Sequence, residues 1–249
     1  MTEYPSPEIL AKHPFVEHPF VEVPTDEMRE RAVRFRDDMD ARRSARVFSD
    51  RPVDRELIEL AIETASTAPS GAHRQPWTFV ATCDPDVKQA IREAAEAEER
   101  QNYEGGRIGP EWREALEPLG TTSDKGYLER VPWIVVAFEQ RYEVLPDGTQ
   151  RHNFYVKESV GIACGLFIAA VHQMGLTTLT HTPSPMRFLT RVLNRPANER
   201  PFILFPVGYP EPGSLVPDIA HKPLSDVMVE VTEVVGPAAA ADGELNPGT

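Results

Sequence analysis

The apolar run Trp133–Phe138 constrains the fold of this chain more than any other feature, because an unbroken run of this length is typical of a buried strand. Further strands are predicted over Thr78–Thr82, Thr177–Thr182, Phe202–Val207 and Val227–Val235. Helical patterns lie between these runs, but no Gly-x-Gly-x-x-Gly turn joins a strand to a helix. The sequence therefore predicts an α+β fold and not a dinucleotide-binding fold.

Capping residues predict where the main helices begin. Thr25, Asp54 and Asp84 each precede a helical pattern, and Pro85 suits the first turn of the third helix. The second helix is expected to bury one face: Leu57, Leu60, Ala61 and Ala65. The third helix is expected to end near Tyr103, before two glycines, and a fourth covers Glu158–Met174.

The two ends of the chain differ from its middle. Residues 1–24 are rich in proline and contain the repeat His-Pro-Phe-Val-Glu twice, which indicates an extended arm whose Phe15 and Phe20 pack on the body. Residues 236–249 have the composition of a disordered tail. A single domain is therefore predicted over residues 25–235.

Charge and composition exclude several classes of protein. The net charge of −13 and a pI of about 5.0 argue against nucleic acid and anionic membranes as partners. The N-terminus has no signal pattern, and no apolar run approaches the roughly 20 residues of a membrane span. Cys83 and Cys164 form no metal or redox motif. We expect a cytoplasmic protein.

A basic cluster and a loop of small residues predict a cofactor site. Arg42, Arg43 and Arg46 supply three guanidinium groups, which suit phosphate better than other side chains do. The loop Thr67–Trp77 offers the Ser70 hydroxyl and backbone amides unobstructed by bulk. Together they indicate a planar cofactor that carries a phosphate and lies against backbone.

These motifs resemble those of the flavin-dependent nitroreductase superfamily and, within it, the iodotyrosine deiodinase family. The resemblance covers about residues 25–230 and rests on five segments: Arg42–Phe48, Thr67–Trp77, Glu98–Tyr103 with Lys125, Thr180–Pro183 and Pro206–Pro210. It implies a central, mostly antiparallel sheet flanked by helices, in a homodimer with active sites at the interface and a C-terminal arm swapped onto the partner. It also implies a lid over about residues 96–128.

The resemblance assigns roles to particular residues. It implies that FMN is held by residues of four segments: Arg42, Arg43, Ser44 and Arg46; Pro69, Ser70 and Gly71; Thr180, His181 and Thr182; and His221. Thr182 is the expected catalytic residue, through a hydrogen bond to flavin N5. A halotyrosine is expected to bind through four residues: Ala72, Glu99, Tyr103 and Lys125.

Two residues depart from the family pattern. His221 stands where a phosphate-binding arginine is expected, and a histidine would hold a phosphate more weakly than a guanidinium does. His181 stands between two threonines where a smaller residue is expected.

The expected activity is FMN-dependent reductive dehalogenation of halotyrosine to tyrosine and halide, with electrons from an external donor such as an NADPH-linked reductase. A general NAD(P)H-dependent nitro- or quinone reductase of the same fold is the alternative, and a flavin-binding protein without turnover is a third. Glu99, Tyr103 and Lys125 separate the first two, because a general reductase needs no clamp for a zwitterion. The competing interpretation of these residues is a solvated helix face and an exposed lysine.

Overall fold

The computed structural model describes residues 4–232. Its helices and strands, in chain order, are α1 (Pro7–Lys12), α2 (Thr25–Ala41), α3 (Arg55–Ser66), β1 (Trp77–Thr82), α4 (Pro85–Tyr103), α5 (Pro110–Leu116), α6 (Tyr127–Arg130), β2 (Trp133–Gln140), β3 (Tyr142–Val144), β4 (Gln150–His152), α7 (Val156–Gln173), β5 (Thr177–Thr178), α8 (Phe188–Val192), β6 (Glu199–Gly208) and α9 (Leu224–Val227). Short 3₁₀ turns cover Gly71–His73 and Glu117–Leu119.

A four-stranded antiparallel sheet in the order β1-β2-β6-β5 forms the centre of the fold, which confirms the predicted α+β class. The predicted strand Trp133–Phe138 is β2, and it pairs with β1 on one side and β6 on the other. A separate hairpin pairs β3 with β4. Because β2 lies between two neighbours, the backbone hydrogen-bonding groups on both of its edges are paired.

The sheet is covered on both faces, which explains the unbroken apolar pattern of β2. Val135 and Ala137 pack against α3 and α7, in a core that includes Phe167. Ile134 and Val136 point to the other face, in a second core that includes Ile91 of α4. Successive side chains of a strand alternate between faces, so the run Trp133–Phe138 needs apolar residues on both faces, and the polar residues Glu139 and Gln140 follow only at the end of the strand. The second core is the one that positions α4 and the candidate site.

One predicted helix cap is confirmed, whereas the predicted cap of α2 and the predicted buried face of α3 each need a correction. Asp84 caps α4 through a 3.0 Å hydrogen bond from the Val87 amide, as predicted. The N-cap of α2 is Pro24, and Thr25 is the first helical residue. In α3 the buried residues are Ile58, Ala61 and Ala65, whereas Leu60 is exposed. The apolar stripe of α3 is therefore rotated relative to the predicted one.

The ends of the described chain differ from expectation. Residues 7–12 form a helix that was not predicted, and Phe15 and Phe20 of the N-terminal arm are exposed instead of packed. The predicted strand Val227–Val235 is wrong where it can be judged, since Val227 ends α9 and residues 228–232 form no strand. The predicted disordered tail and the end of that strand lie outside the described residues.

The chain divides into two units, Met1–Val216 and Pro217–Thr249. The first holds the sheet and its two cores. Within residues 4–232, no helix has the length and apolarity needed to cross a bilayer. In the same range, no group of three or more His, Cys, Asp or Glu side chains is arranged to hold a metal ion.

Candidate active site

Glu99 is a carboxylate at a core position of α4. It follows Ile91 and Ala95 at intervals of four residues, and both of these are fully buried. Residues four apart share a helix face, so Glu99 continues the apolar stripe towards the end of the helix. Its side chain is 11% exposed. The interpretation of this segment as a solvated helix face is therefore wrong for Glu99.

Lys125 approaches Glu99 from the segment between the second 3₁₀ turn and α6. Its Nζ lies 3.8 Å from Glu99 Oε1, and its side chain is only 3% exposed. The ammonium donates to the Thr122 carbonyl, and the Lys125 amide donates to Glu96 Oε1 at 2.9 Å. Lys125 is therefore a buried cation and not the exposed lysine of the competing interpretation.

Tyr103 completes the predicted set of lid residues. It lies four residues after Glu99 on α4, and its hydroxyl donates to Thr121 Oγ1 over 3.4 Å. Lys125 Nζ lies 5.6 Å from the centre of the Tyr103 ring, within the range of a cation–π interaction. The fold thus brings together Glu99, Tyr103 and Lys125 from two separate segments.

His181 also belongs to this cluster. Its backbone pairs with Leu204 of β6, with N–O distances of 2.9 and 3.0 Å in the two directions. Its buried ring places Nε2 3.3 Å from Glu99 Oε1. The other ring nitrogen, Nδ1, is buried and has no hydrogen-bond partner among the described residues. Thr180 and Thr182 on either side are exposed, so the side chain of His181 points the opposite way from theirs.

The charges in this cluster affect one another. Burial acts to raise the pKa of Glu99, but hydrogen bonds from His181 and Asn102 and the charge of Lys125 prevail and hold it below the usual value. Burial lowers the pKa of Lys125, and Arg46 lowers it further while Glu99 opposes the change. Burial likewise lowers the pKa of His181, despite its hydrogen bond to Glu99. The cluster therefore favours an ionised carboxylate and a neutral imidazole.

The arginine segment runs beside β5. Ser44 forms a parallel bridge with Thr178, and the Ala45 amide donates to the Thr178 carbonyl at 3.2 Å. Arg43 is exposed, whereas Arg42 and Arg46 are half-buried. The charge of Arg46 reaches Lys125, as the pKa of that lysine shows. The segment is thus held next to the strand that leads into Thr180–Thr182.

The loop after α3 is tightly fitted to the start of α7. A Cβ on Gly71 would lie 2.7 Å from the Phe154 carbonyl oxygen, and the Gly71 amide donates to Ser159 Oγ at 3.3 Å. Positive φ occurs at Ala72 (50°) instead of Gly71, so Gly71 is required here for its small size. Ser70 Oγ accepts from the Gln75 amide at 2.9 Å.

Two further predicted FMN-binding residues, Pro69 and His221, are exposed. Pro69 is exposed at the start of the loop, next to Ser70. His221 is exposed in the second unit. Sequence reasoning missed the contact between His181 and Glu99 and the role of Glu96 as acceptor for the Lys125 amide. The stripe Ile91, Ala95, Glu99 was a signal that could have marked Glu99 as buried.

Comparison with known proteins shows the family of this chain. A model of the nitroreductase family matches residues 39–209, from the end of α2 to just beyond β6. The chain therefore belongs to the nitroreductase family. Within it the chain groups with the iodotyrosine deiodinases, which confirms the resemblance of the motifs.

Three relatives carry this grouping. The iodotyrosine deiodinase of Haliscomenobacter hydrossis is 55% identical over 204 residues, which cover 82% of this chain and 91% of that protein. The enzyme of Danio rerio is 45% identical over 208 residues, covering 82% of this chain and 70% of that protein. A crystal structure of oxidised iodotyrosine deiodinase bound to FMN and 3-iodo-L-tyrosine superposes with a TM-score of 0.69 at 25% identity, covering 81% of this chain and 100% of the other.

Proposed function

We propose that the protein is an FMN-dependent oxidoreductase that reductively removes halogen from halotyrosine. The observation that carries this proposal is the convergence of Glu99, Tyr103 and Lys125, a buried anion and cation 3.8 Å apart with a phenol beside them. Each charge has a counterpart in the backbone of a free amino acid. The ammonium of the substrate would bind Glu99, its carboxylate would bind Lys125, and Tyr103 would add a contact.

The residues present suit FMN. Arg42, Arg43 and Arg46 match the charge and geometry of a phosphate, and their segment is bonded to the strand that precedes Thr180 and Thr182. When bound, FMN would supply the two electrons that, with one proton, convert the carbon–halogen bond to carbon–hydrogen and release halide. We propose that Thr182 donates a hydrogen bond to flavin N5. Pro69, Ser70 and Gly71 would lie against the ring system and the backbone of His181 beside it, and His221 stays a predicted FMN-binding residue.

The chain's own residues orient the substrate and exclude water from it. The Ala72 amide would hold the phenolate oxygen. We propose that residues 96–128 act as a lid, because Glu99, Tyr103 and Lys125 all lie within them. Exclusion of water strengthens every charge interaction with the zwitterion.

We further propose a homodimer in the cytoplasm, served by an external donor such as an NADPH-linked reductase. α2 has no buried residue, and its Met28 and Phe35 are exposed, as expected for a surface that a partner covers. In this dimer, the described C-terminal residues 217–232 would pack on the partner subunit. Light scattering of the purified protein at micromolar concentration tests the assembly, and a monomer would contradict it.

An anaerobic assay tests the activity. Protein loaded with FMN and reduced with dithionite is expected to convert iodotyrosine to tyrosine and iodide. K125A should lose affinity for iodotyrosine while retaining FMN. Iodotyramine lacks the carboxylate of iodotyrosine, and 3-(4-hydroxy-3-iodophenyl)propionic acid lacks its ammonium. Both should bind at least about tenfold more weakly than iodotyrosine. Turnover of nitroarenes with NADPH, and none of iodotyrosine, would establish the general reductase instead.

The arginine segment has its own test. R43A is expected to lose FMN on dialysis, because a phosphate contact is removed. R55A is a matched control, since Arg55 is exposed on α3 and paired with Glu59. Full retention of yellow colour by R43A would contradict the assignment.

A further inference from the structure

Alternation along Thr180–Thr182 separates His181 from the exposed face of that segment. The flanking threonines are exposed, whereas the ring of His181 is buried beneath α4. Its backbone is fixed by two hydrogen bonds to Leu204, so the ring cannot rotate to the exposed face without breaking the bridge. The nearest polar partner of its Nε2 is Glu99 Oε1 at 3.3 Å.

The donors around Glu99 are not equivalent. Lys125 and His181 both approach Oε1, at 3.8 and 3.3 Å, while Asn102 Nδ2 donates to Oε2 at 3.4 Å. Lys125 is the group that a substrate carboxylate would draw away. The ring of His181 has no other hydrogen-bond partner among the described residues that could draw it away from Glu99, since its Nδ1 is buried and unpartnered.

From this arrangement we infer that His181 is a positioning residue for Glu99. Its neutral imidazole donates Nε2–H to the carboxylate and keeps it in place while Lys125 is exchanged for the ammonium of the substrate. This inference rests on the proposed function. It assigns the side chain of His181 to the support of Glu99, a residue of the proposed lid, and leaves only the backbone of His181 for the flavin side.

The protonation state follows from the surroundings of the ring. Glu99 of α4 faces it, together with Lys125, the half-buried Tyr127 of α6 and Arg46. Two of these groups are cations, so a second proton on His181 is opposed by both of them and by burial. Donation from Nε2 then requires the tautomer with an unprotonated Nδ1.

The experiment compares H181L, which removes the donor, with H181Q, which retains one, in protein loaded with FMN. H18L is the control, since His18 is exposed in the N-terminal arm. We expect H181L to weaken iodotyrosine binding about tenfold or more, with FMN affinity unchanged. The loss should appear in KM more than in kcat. H181Q should recover most of the affinity.

The pH profile and NMR provide readouts that do not depend on turnover. Iodotyrosine affinity of the parent should fall as His181 gains a proton at acid pH, and this limb should be absent in H181Q. Two-bond ¹H–¹⁵N correlation spectra should show Nε2–H and a bare Nδ1. E99Q should lower the titration midpoint of His181, because the hydrogen bond and charge that oppose burial are removed.

The outcomes are distinguishable. If the parent protein does not bind iodotyrosine, the proposed function fails. If the parent binds it and H181L binds equally well, only this inference fails. Release of FMN by H181L, or a Nδ1–H tautomer, would overturn the inference in favour of a flavin-binding or purely structural histidine. If neither variant folds, the NMR tautomer of the parent and its response to E99Q decide.

Discussion

Replacing either member of the Glu99–Lys125 pair should have unequal effects on stability. At 3.8 Å and an effective dielectric constant of about 20, their attraction is about 4 kcal/mol. The pKa of each group is lowered, which favours the charged form of Glu99 but disfavours that of Lys125. The two groups differ because Glu99 accepts further hydrogen bonds that favour its charged form. Lys125, in contrast, faces burial and the like charge of Arg46, which disfavour its charged form.

E99Q leaves Lys125 buried without its anion, so we expect it to lower the free energy of unfolding by about 3 kcal/mol. K125M removes a cation whose cost of burial exceeds its attraction to Glu99. Its free energy of unfolding should therefore stay within about 1 kcal/mol of that of the parent. The double variant should resemble K125M, because no uncompensated charge remains. All three should lose iodotyrosine binding.

Urea unfolding at pH 7, at fixed protein and FMN concentrations, measures these differences. E59Q is the control: Glu59 pairs with Arg55 on the surface of α3, and its loss should change stability by less than about 1 kcal/mol. Equal losses in E99Q and K125M, or a double variant whose loss is the sum of the two, would refute the asymmetry.

Three further predictions concern the surrounding structure. The pKa of His181 is lowered, so the unfolded state binds its proton first and stability falls as the pH drops through about 6.5; H181Q should flatten this slope in urea unfolding between pH 7 and 5. G71A should cost about 1–3 kcal/mol, since its Cβ would meet the Phe154 carbonyl at 2.7 Å, and an unchanged melting temperature would contradict this. K88M should cost about 2 kcal/mol or more, because the ammonium of Lys88 donates to two backbone carbonyls beside β2 at 2.8 and 2.9 Å; K12M, at an exposed site, serves as the control.

Sequence patterns correctly predicted those elements that depend mainly on neighbouring residues and on burial. The Asp84 cap and the run that became β2 depend on neighbouring residues and on burial, both of which are visible in the sequence. The predicted strand Val227–Val235 fails over its described part because alternation alone does not supply an edge for pairing. In α3, Ile58 takes the buried position predicted for Leu60, since the packing partner sets the rotation of a helix stripe.

The candidate site was predictable only in part. Glu99, Tyr103 and Lys125 were identified from motif resemblance, and the fold brings them together. The contact between His181 and Glu99 joins residues 82 positions apart and depends on the pairing of His181 with Leu204. A local pattern carries no information on such pairing, so the histidine could be noted as unusual but not placed.

Glu99 and Lys125 are held differently by the fold, which suits them to different roles in substrate binding. Glu99 lies on a long helix, and its carboxylate is hydrogen-bonded by Asn102 and His181, so it is the fixed member. Lys125 lies on an irregular segment, and burial together with the nearby charge of Arg46 disfavours its ammonium, so we propose that it is the member that moves. A zwitterion supplies an ammonium for the fixed carboxylate and a carboxylate for the released lysine, and no charge is left unpaired. A neutral nitroarene or quinone supplies neither and leaves the pair closed. We propose that selectivity for an amino acid follows from this exchange of charges and not from the shape of the pocket alone.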